Sequence, residues 1–333
     1  MHERQRKEPD LTGAKKAETG ELLLRVSISM SGRRLDQVLA EALPEFSRSR
    51  LQQWIDDGCV LVDGTTRRRC DKVRGGEQIR LTPVAAARNE CVGQAIALDV
   101  RFEDEQLLVI NKPAGFVVHP AAGNPDGTLQ NALLHRIPEL DRIPRAGIVH
   151  RLDKDTTGLL VVAKTLQAHK SLVEQLQRRT VSREYRALVQ GVLVAGAAVD
   201  APIGRHPFHR TRMAVVPNGR PAVTHFRILE RFAHHTLLAV HLETGRTHQI
   251  RVHMAHVHHA LVGDRTYGGR PRTPRGASTS LSTALRMFPR QALHAIVLGL
   301  DHPKTGQPMR WEIPMVEDMR ELLDLLRGHH EPD

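Results

Sequence analysis

The stretch GIVHRLDKDTTGLLVVAK, residues 147–164, sets Asp153 and Asp155 among Arg151 and Lys154, just ahead of an apolar run that reads as a strand. Two carboxylates and two cations at the mouth of a buried strand fit either a solvated loop or a loop in which one carboxylate does chemistry. A carboxylate pair can hydrolyse a glycosidic bond, but its members must flank the sugar from separate elements. Residues i and i+2 on one face of an extended chain are too rigidly linked for that. A second chemistry-bearing stretch, LETGRTHQIRVHMAH at 242–256, supplies Arg251 together with His253 and His256. That histidine spacing is compatible with a metal, yet no cysteine or carboxylate cluster accompanies it, so no metal is expected. The deaminase pattern H-x-E with P-C-x-x-C is absent, and no G-x-G-x-x-G follows a strand, which argues against a zinc deaminase and a dinucleotide fold.

The composition narrows the partner. At 333 residues, 40% apolar and 26% charged, the chain has room for two domains, one with a substantial core. A net charge of +11 and an isoelectric point near 10.2 favour a polyanion. Residues 201–290 hold 14 arginines, no lysine and 3 acidic residues. Arginine suits bidentate phosphate contacts and stacking on bases. A GC-rich coding sequence also raises arginine over lysine, but it does not explain the scarcity of acids. Cys59, Cys70 and Cys91 are odd in number and form no C-x-x-C pair, so a reducing, cytoplasmic compartment is expected. No apolar run is long enough to span a bilayer, and no membrane partner is expected.

The elements that must position these residues can be read in outline. Residues 1–20 read as a disordered tail. A small module over 21–82 opens on the strand-like ELLLRVSIS. Leu35, Val38, Leu39 and Leu43 then follow with helical spacing, ended by Pro44. Ser47 is a candidate cap for a second helix that carries Leu51, Trp54 and Ile55. A strand, a turn at Asp63-Gly64 and a basic strand with Arg67, Arg68 and Arg69 come next. Residues 83–95 read as a linker and 96–326 as a larger domain, with 327–333 a tail. Strands are expected at LLVINKP, GLLVVAK, EYRALVQG, AVTHFRILE and TLLAVHLE, a helix at TLQAHKSLVEQLQRR and a loop at 268–282. Helices and strands do not alternate regularly, so the expected class is α+β with a mixed, mainly antiparallel sheet.

Four clusters now combine: Asn111 to Gly115, His150 to Gly158, Arg183-Glu184-Tyr185 and residues 242–256. Together they resemble the pseudouridine synthases that act on large-subunit ribosomal RNA, over about residues 21–325. Residues 21–82 resemble an S4 RNA-binding domain, through RRLDQVL, SRSRLQQWIDDGCVLVDG and VRGGEQIRL in that order.

The resemblance implies a pseudouridine synthase fold and an isomerase that moves uracil from an N-glycosidic to a C-glycosidic bond, with no cofactor and no metal. It implies that Asp153 is the catalytic carboxylate, that Arg251 pairs with it, and that Tyr185 stacks on the target uracil. Attack at C1′, attack at uracil C6 and removal of the C2′ proton all remain open to Asp153. Arg151 is implied to fill the gap left by a flipped uridine. His150, Arg246 and Lys112, with Arg67 to Arg69, are the further RNA contacts expected. Asp155 is expected to hold the Thr156-Thr157-Gly158 turn through its side chain. The implied partner is ribosomal RNA, at stem-loop uridines, in ribosomal or pre-ribosomal particles. A synthase for another RNA, and a ribosome-assembly factor that binds RNA without catalysis, are the alternatives.

Overall fold

A computed structural model describes residues 15–16, 21–43, 46, 48–83, 91–121 and 123–329. The expected roles of Pro44 and Ser47 fall outside these residues, as do positions 1–14 and 17–20 of the expected tail, 84–90 of the expected linker, and 330–333. The chain forms two compact units, residues 1–90 and 91–333.

In the first unit, strands β1 (Lys15–Lys16), β2 (Leu22–Arg25), β3 (Val60–Val62), β4 (Thr65–Thr66) and β5 (Gln78–Leu81) form a sheet of order β1-β2-β5-β3-β4. Strand β1 lies within the segment expected to be disordered, where the free edge of β2 gives it backbone partners. Helices α1 (Leu35–Ala42) and α2 (Arg48–Asp56) bury Leu35, Val38 and Leu39, and Leu51, Trp54 and Ile55, as their spacing dictates. Asp36 is fully buried, but its carboxylate is satisfied by Arg34, Arg48 and Gln52. Asp63 and Gly64 both have positive φ, 47° and 79°, the geometry of a two-residue hairpin turn. The basic strand expected at Arg67 to Arg69 is not formed: β4 ends at Thr66, and the arginines turn away toward Glu77, Asp71 and Asp56.

The second unit is built on strands β6 (Val100–Glu103), β7 (Leu107–Lys112), β8 (Thr157–Ala163), β9 (Ser182–Gln190), β10 (Ala197–Asp200), β11 (Ile203–Arg205), β12 (Met213–Val215), β13 (Val223–Arg231), β14 (His235–Leu242), β15 (Leu293–Asp301) and β16 (Pro308–Glu312). Nine of them make one sheet of order β10-β13-β14-β9-β15-β8-β7-β6, with β16 on β15, while β11 and β12 form a separate hairpin. Every pairing in the large sheet is antiparallel except β15 with β8. Helices α3 (Leu129–Arg136), α4 (Leu166–Arg178), α5 (Gln249–His256), α6 (Thr279–Met287) and α7 (Glu317–Arg327) complete it. Residues 279–282 of the expected loop belong to α6, which Ser278 caps. Residues 91–95 of the expected linker include Val92, whose carbonyl accepts Asn131 Nδ2, and Gln94, whose amide donates to the Asn131 carbonyl of α3.

Strands β7 and β8 are continuous apolar runs because both sheet faces are covered. Leu107, Val109, Leu159 and Val161 pack with Ala168 and Leu172 of α4. Leu108, Ile110, Leu160 and Val162 face the other way, in one core with Leu129 of α3 and Ile250 of α5. At the start of β8, Gly158 has φ 116°, and a Cβ there would lie 2.2 Å from the Ala295 carbonyl. Only glycine lets the loop ahead of β8 enter the sheet this close to β15.

Candidate active site

Leu152 is buried at 4% exposure between an exposed Arg151 and a half-buried Asp153, and both of these line one cavity. The chain then turns back. Thr156 N–H donates to the Asp153 carbonyl at 3.1 Å, and Gln291 Nε2 donates to Thr156 Oγ1 at 3.0 Å. Asp155 contributes differently from the expectation: its backbone carbonyl accepts Arg290 Nη1 at 3.3 Å, and the turn's side-chain bonds come from Gln291 and His294.

Lys112 corrects a second expectation. It is 1% exposed and cannot reach RNA. Its ammonium donates at 2.8 Å to the carbonyls of Pro113, Phe116 and Lys154, and so ties β7 to the residue that follows Asp153. Burial pulls its pKa down to about 7, against Asp155 and Asp153. Three carbonyl acceptors match the three protons of an ammonium, and this geometry favours the charged form. His150 also differs from an RNA contact of the charged kind. Its Nε2 accepts Val161 N–H at 3.1 Å, and burial, helped by Arg183, drives its pKa down to about 3, so the ring is neutral.

Opposite this loop, α5 presents Arg251. Gln249 locks the start of the helix, with Oε1 accepting Arg246 N–H at 2.9 Å and Thr244 Oγ1 at 2.7 Å, and Nε2 donating to the Val223 carbonyl at 3.0 Å. Arg251 Nη1 then reaches Asp153 Oδ2 at 3.0 Å. Its Nε and Nη2 grip Asp264 at 2.7 and 3.0 Å. Burial works against the guanidinium charge, but the hydrogen bonds and charges of Asp264 and Asp153 prevail and push its pKa up. Asp264 is held in turn by the backbone N–H groups of Thr266 and Tyr267. Before it, Gly263 has φ 72° where a Cβ would meet the Arg290 carbonyl at 2.0 Å.

Tyr185, on β9, is 4% exposed and lines the same cavity of about 880 Å³ as Asp153 and Arg251. Its phenol pKa is raised by burial and by Asp153. Arg145, Arg151, Arg179, Arg183, Arg220 and Arg246 also line this cavity, which gives it a strongly cationic wall. Arg246 is partly tied down through Nε to the Pro221 carbonyl at 3.1 Å. Arg151 is exposed and takes no ion pair among the described residues. Arg67, Arg68 and Arg69 belong to the first unit, each beside an acidic residue. His253 uses both ring nitrogens, on Thr224 Oγ1 and the Ala201 carbonyl, each at 2.9 Å, so neither is free for a metal.

Sequence reasoning gave no role to Asp264, Tyr267, His248 or Arg183, although Arg183 and His248 lie in clusters it singled out. Arg251 carried one signal for Asp264, since a buried guanidinium has five N–H donors and Asp153 cannot use them all.

Comparison with known proteins fits this arrangement. Residues 106–256 match the RNA pseudouridylate synthase family and residues 33–79 the S4 domain. The chain is 58% identical over 306 residues, 92% of its length and 96% of the relative's, to the ribosomal large subunit pseudouridine synthase D of Pseudomonas aeruginosa. The chain belongs to the RNA pseudouridylate synthase family. Another member, the Escherichia coli K12 protein called ribosomal large subunit pseudouridine synthase D, is 55% identical over 319 residues, 95% of this chain and 97% of its own. Among solved structures of the family, human RNA pseudouridylate synthase domain containing 1 aligns with TM-score 0.51 and 25% identity, over 72% of this chain and 99% of its own. The three residues to which the family resemblance in the sequence assigned the chemistry, Asp153, Tyr185 and Arg251, lie around a single cavity.

Proposed function

We propose that this chain isomerises uridines of large-subunit ribosomal RNA to pseudouridine, with Asp153 acting at the ribose–uracil junction. The observation that carries the reading is the Arg251–Asp153 pair, 3.0 Å apart, in one cavity with Tyr185 and walled by arginines. The reaction detaches a pyrimidine, turns it and rejoins it through C5. It needs an ionised carboxylate at the sugar, a surface that retains the free base, and a binding surface for the polyanion. Arg251 supplies a counter-charge to the part-buried carboxylate, and its Nη1 holds Oδ2 so that Oδ1 stays open to the substrate. Tyr185 offers a ring face to the uracil. Arg151, exposed beside Asp153, occupies the stack that the flipped uridine leaves, and Arg246 contacts phosphate. The S4 unit, with Arg67 to Arg69, adds RNA contacts of its own. The names of the 55–58% identical relatives support the ribosomal large subunit as the source of the RNA.

The test is to map pseudouridines in ribosomal RNA from cells with and without this protein, and with Asp153→Asn in its place. Loss of specific large-subunit pseudouridines in both altered strains is the expected result. Large-subunit sites that persist, with losses in transfer RNA instead, would assign a different substrate. An unchanged map in the Asp153→Asn strain would make the chain a binding factor.

A further inference from the structure

We propose that His248 is a catalytic residue of this site: a neutral hydrogen-bond donor whose Nε2–H stabilises the negative charge that gathers on a uracil carbonyl oxygen as the base is displaced. The proposal rests on the uridine-isomerising reading above.

Three observations point to it. First, His248 has φ 57°, in the left-handed region, immediately before α5. Residues other than glycine adopt this region infrequently and persist there when their surroundings hold them, often at functional sites. Second, the holder is identifiable. His248 Nδ1 lies 2.8 Å from the Tyr267 hydroxyl, whose oxygen accepts the Met213 N–H at 2.9 Å. The phenol has one proton, and the arrangement that satisfies both groups sends it to Nδ1, which leaves the imidazole proton on Nε2. Burial, with Arg251 and Arg151 nearby, keeps the ring neutral against the pull of Asp153 and Asp264. Third, that Nε2 lies 3.9 Å from Asp153 Oδ1, on the cavity lining, and makes no hydrogen bond of its own among the described residues. Asp153 Oδ2 is already taken by Arg251, so Oδ1 and the His248 donor flank one open spot.

The chemistry of displacement needs a donor at that spot. When the N1–C1′ bond breaks, its electron pair leaves with uracil and spreads over N1, O2 and O4. Asp153 balances this at the ribose, either by bonding C1′ or by taking the C2′ proton. If Asp153 instead adds to C6, the charge forms on O4. In every route an oxygen of the base becomes more negative, and His248 donates to it without giving up its proton. Tyr267 is a positioning residue, acting through the tautomer of His248.

The test uses the full chain and short stem-loop RNAs carrying uridine, 2-thiouridine or 4-thiouridine at the target, because sulfur is a weaker acceptor than oxygen. In single-turnover assays the wild-type enzyme is expected to slow at least tenfold on one of the two thio substrates. His248→Ala should slow on the order of 10²-fold on uridine and lose that thio sensitivity, while RNA affinity stays within about threefold. His248→Gln, which keeps an N–H donor at similar reach, should recover part of the rate. His248→Ala that keeps the full thio effect, or turns over at the wild-type rate, overturns the assignment of His248 alone. Wild-type enzyme inert on the uridine substrate would instead overturn the functional reading beneath it.

Discussion

Arg251 holds Asp264 more firmly than it holds Asp153. Two of its nitrogens meet both oxygens of Asp264, at 2.7 and 3.0 Å, whereas Asp153 receives one bond at 3.0 Å. Asp264 is fully buried at its side chain and fixed by two backbone N–H groups; Asp153 keeps 14% of its side chain exposed, toward the cavity. The rigid pair orients the guanidinium, and the oriented guanidinium aims the Asp153 carboxylate. The Arg251 guanidinium also lies over the Tyr267 ring, 5.1 Å from its centroid, so one short segment after α5 sets both Arg251 and His248.

Asp264→Asn should therefore lower kcat by about 10²-fold although residue 264 does not line the cavity. The amide keeps an oxygen for the backbone N–H groups but leaves a buried guanidinium half-paired, so stability should fall by about 3 kcal/mol. RNA affinity should change little. Single-turnover rates and filter binding on the same preparation separate the two effects.

Lys112→Met should behave as damage to the loop that carries Asp153, and Arg151→Ala as loss of an RNA contact. The ammonium of Lys112 serves three carbonyls beneath the loop, so its removal should lower kcat and leave the salt dependence of RNA binding unchanged. Arg151→Ala should weaken binding through loss of the side chain that fills the stack, and Arg246→Ala should flatten the salt slope by about one. Titrating RNA affinity across a salt series checks all three variants.

How much of this was legible in the sequence follows from burial. Strands β7, β8, β9, β13 and β14 were readable because long apolar or alternating runs had to be covered by the sheet's neighbours. Strands β10 to β12 were not, since they are short and mostly exposed or half-exposed. Asp153, Tyr185 and Arg251 stood out through family likeness, while spacing alone left Asp153 and Asp155 equal. Distance separates them: Arg251 reaches Asp153, and Asp155 joins the loop through its backbone. Lys112 looked like an RNA contact because a lysine shows its burial only once β7 is known to be an interior strand. Asp264 and Tyr267 lie in a loop whose pairing with α5 is purely tertiary.

Acid should destabilise the second unit in a definite window. His294 donates from Nε2 to the Pro314 carbonyl and accepts the Thr157 hydroxyl at Nδ1, and burial pushes its pKa down to about 4 from the ordinary 6.5. The unfolded chain binds the proton more tightly, so this contribution is complete above pH 6.5 and is lost as pH falls toward 4. Its size is on the order of 3 kcal/mol. Urea midpoints measured across that range should show a shallower pH dependence in His294→Gln, although His235, also lowered to about 4, keeps some slope in place.

Tyr185→Phe should stay within about tenfold of the wild-type rate, and Tyr185→Ala should fall roughly 5- to 150-fold, if the ring face is what holds the uracil. A Phe variant as slow as the Ala variant would give the role to the hydroxyl instead. Single-turnover rates at saturating enzyme distinguish the outcomes.

Asp153 itself is tested most directly by tritium release. An RNA stem-loop labelled with tritium at uridine C5 loses its label to water only when C5 becomes bonded to the ribose. Wild-type enzyme should release the label, and Asp153→Asn should release it at least about 10³-fold more slowly while binding the RNA as well. Release by Asp153→Asn within tenfold of the wild-type rate would contradict the central claim that this carboxylate carries the reaction.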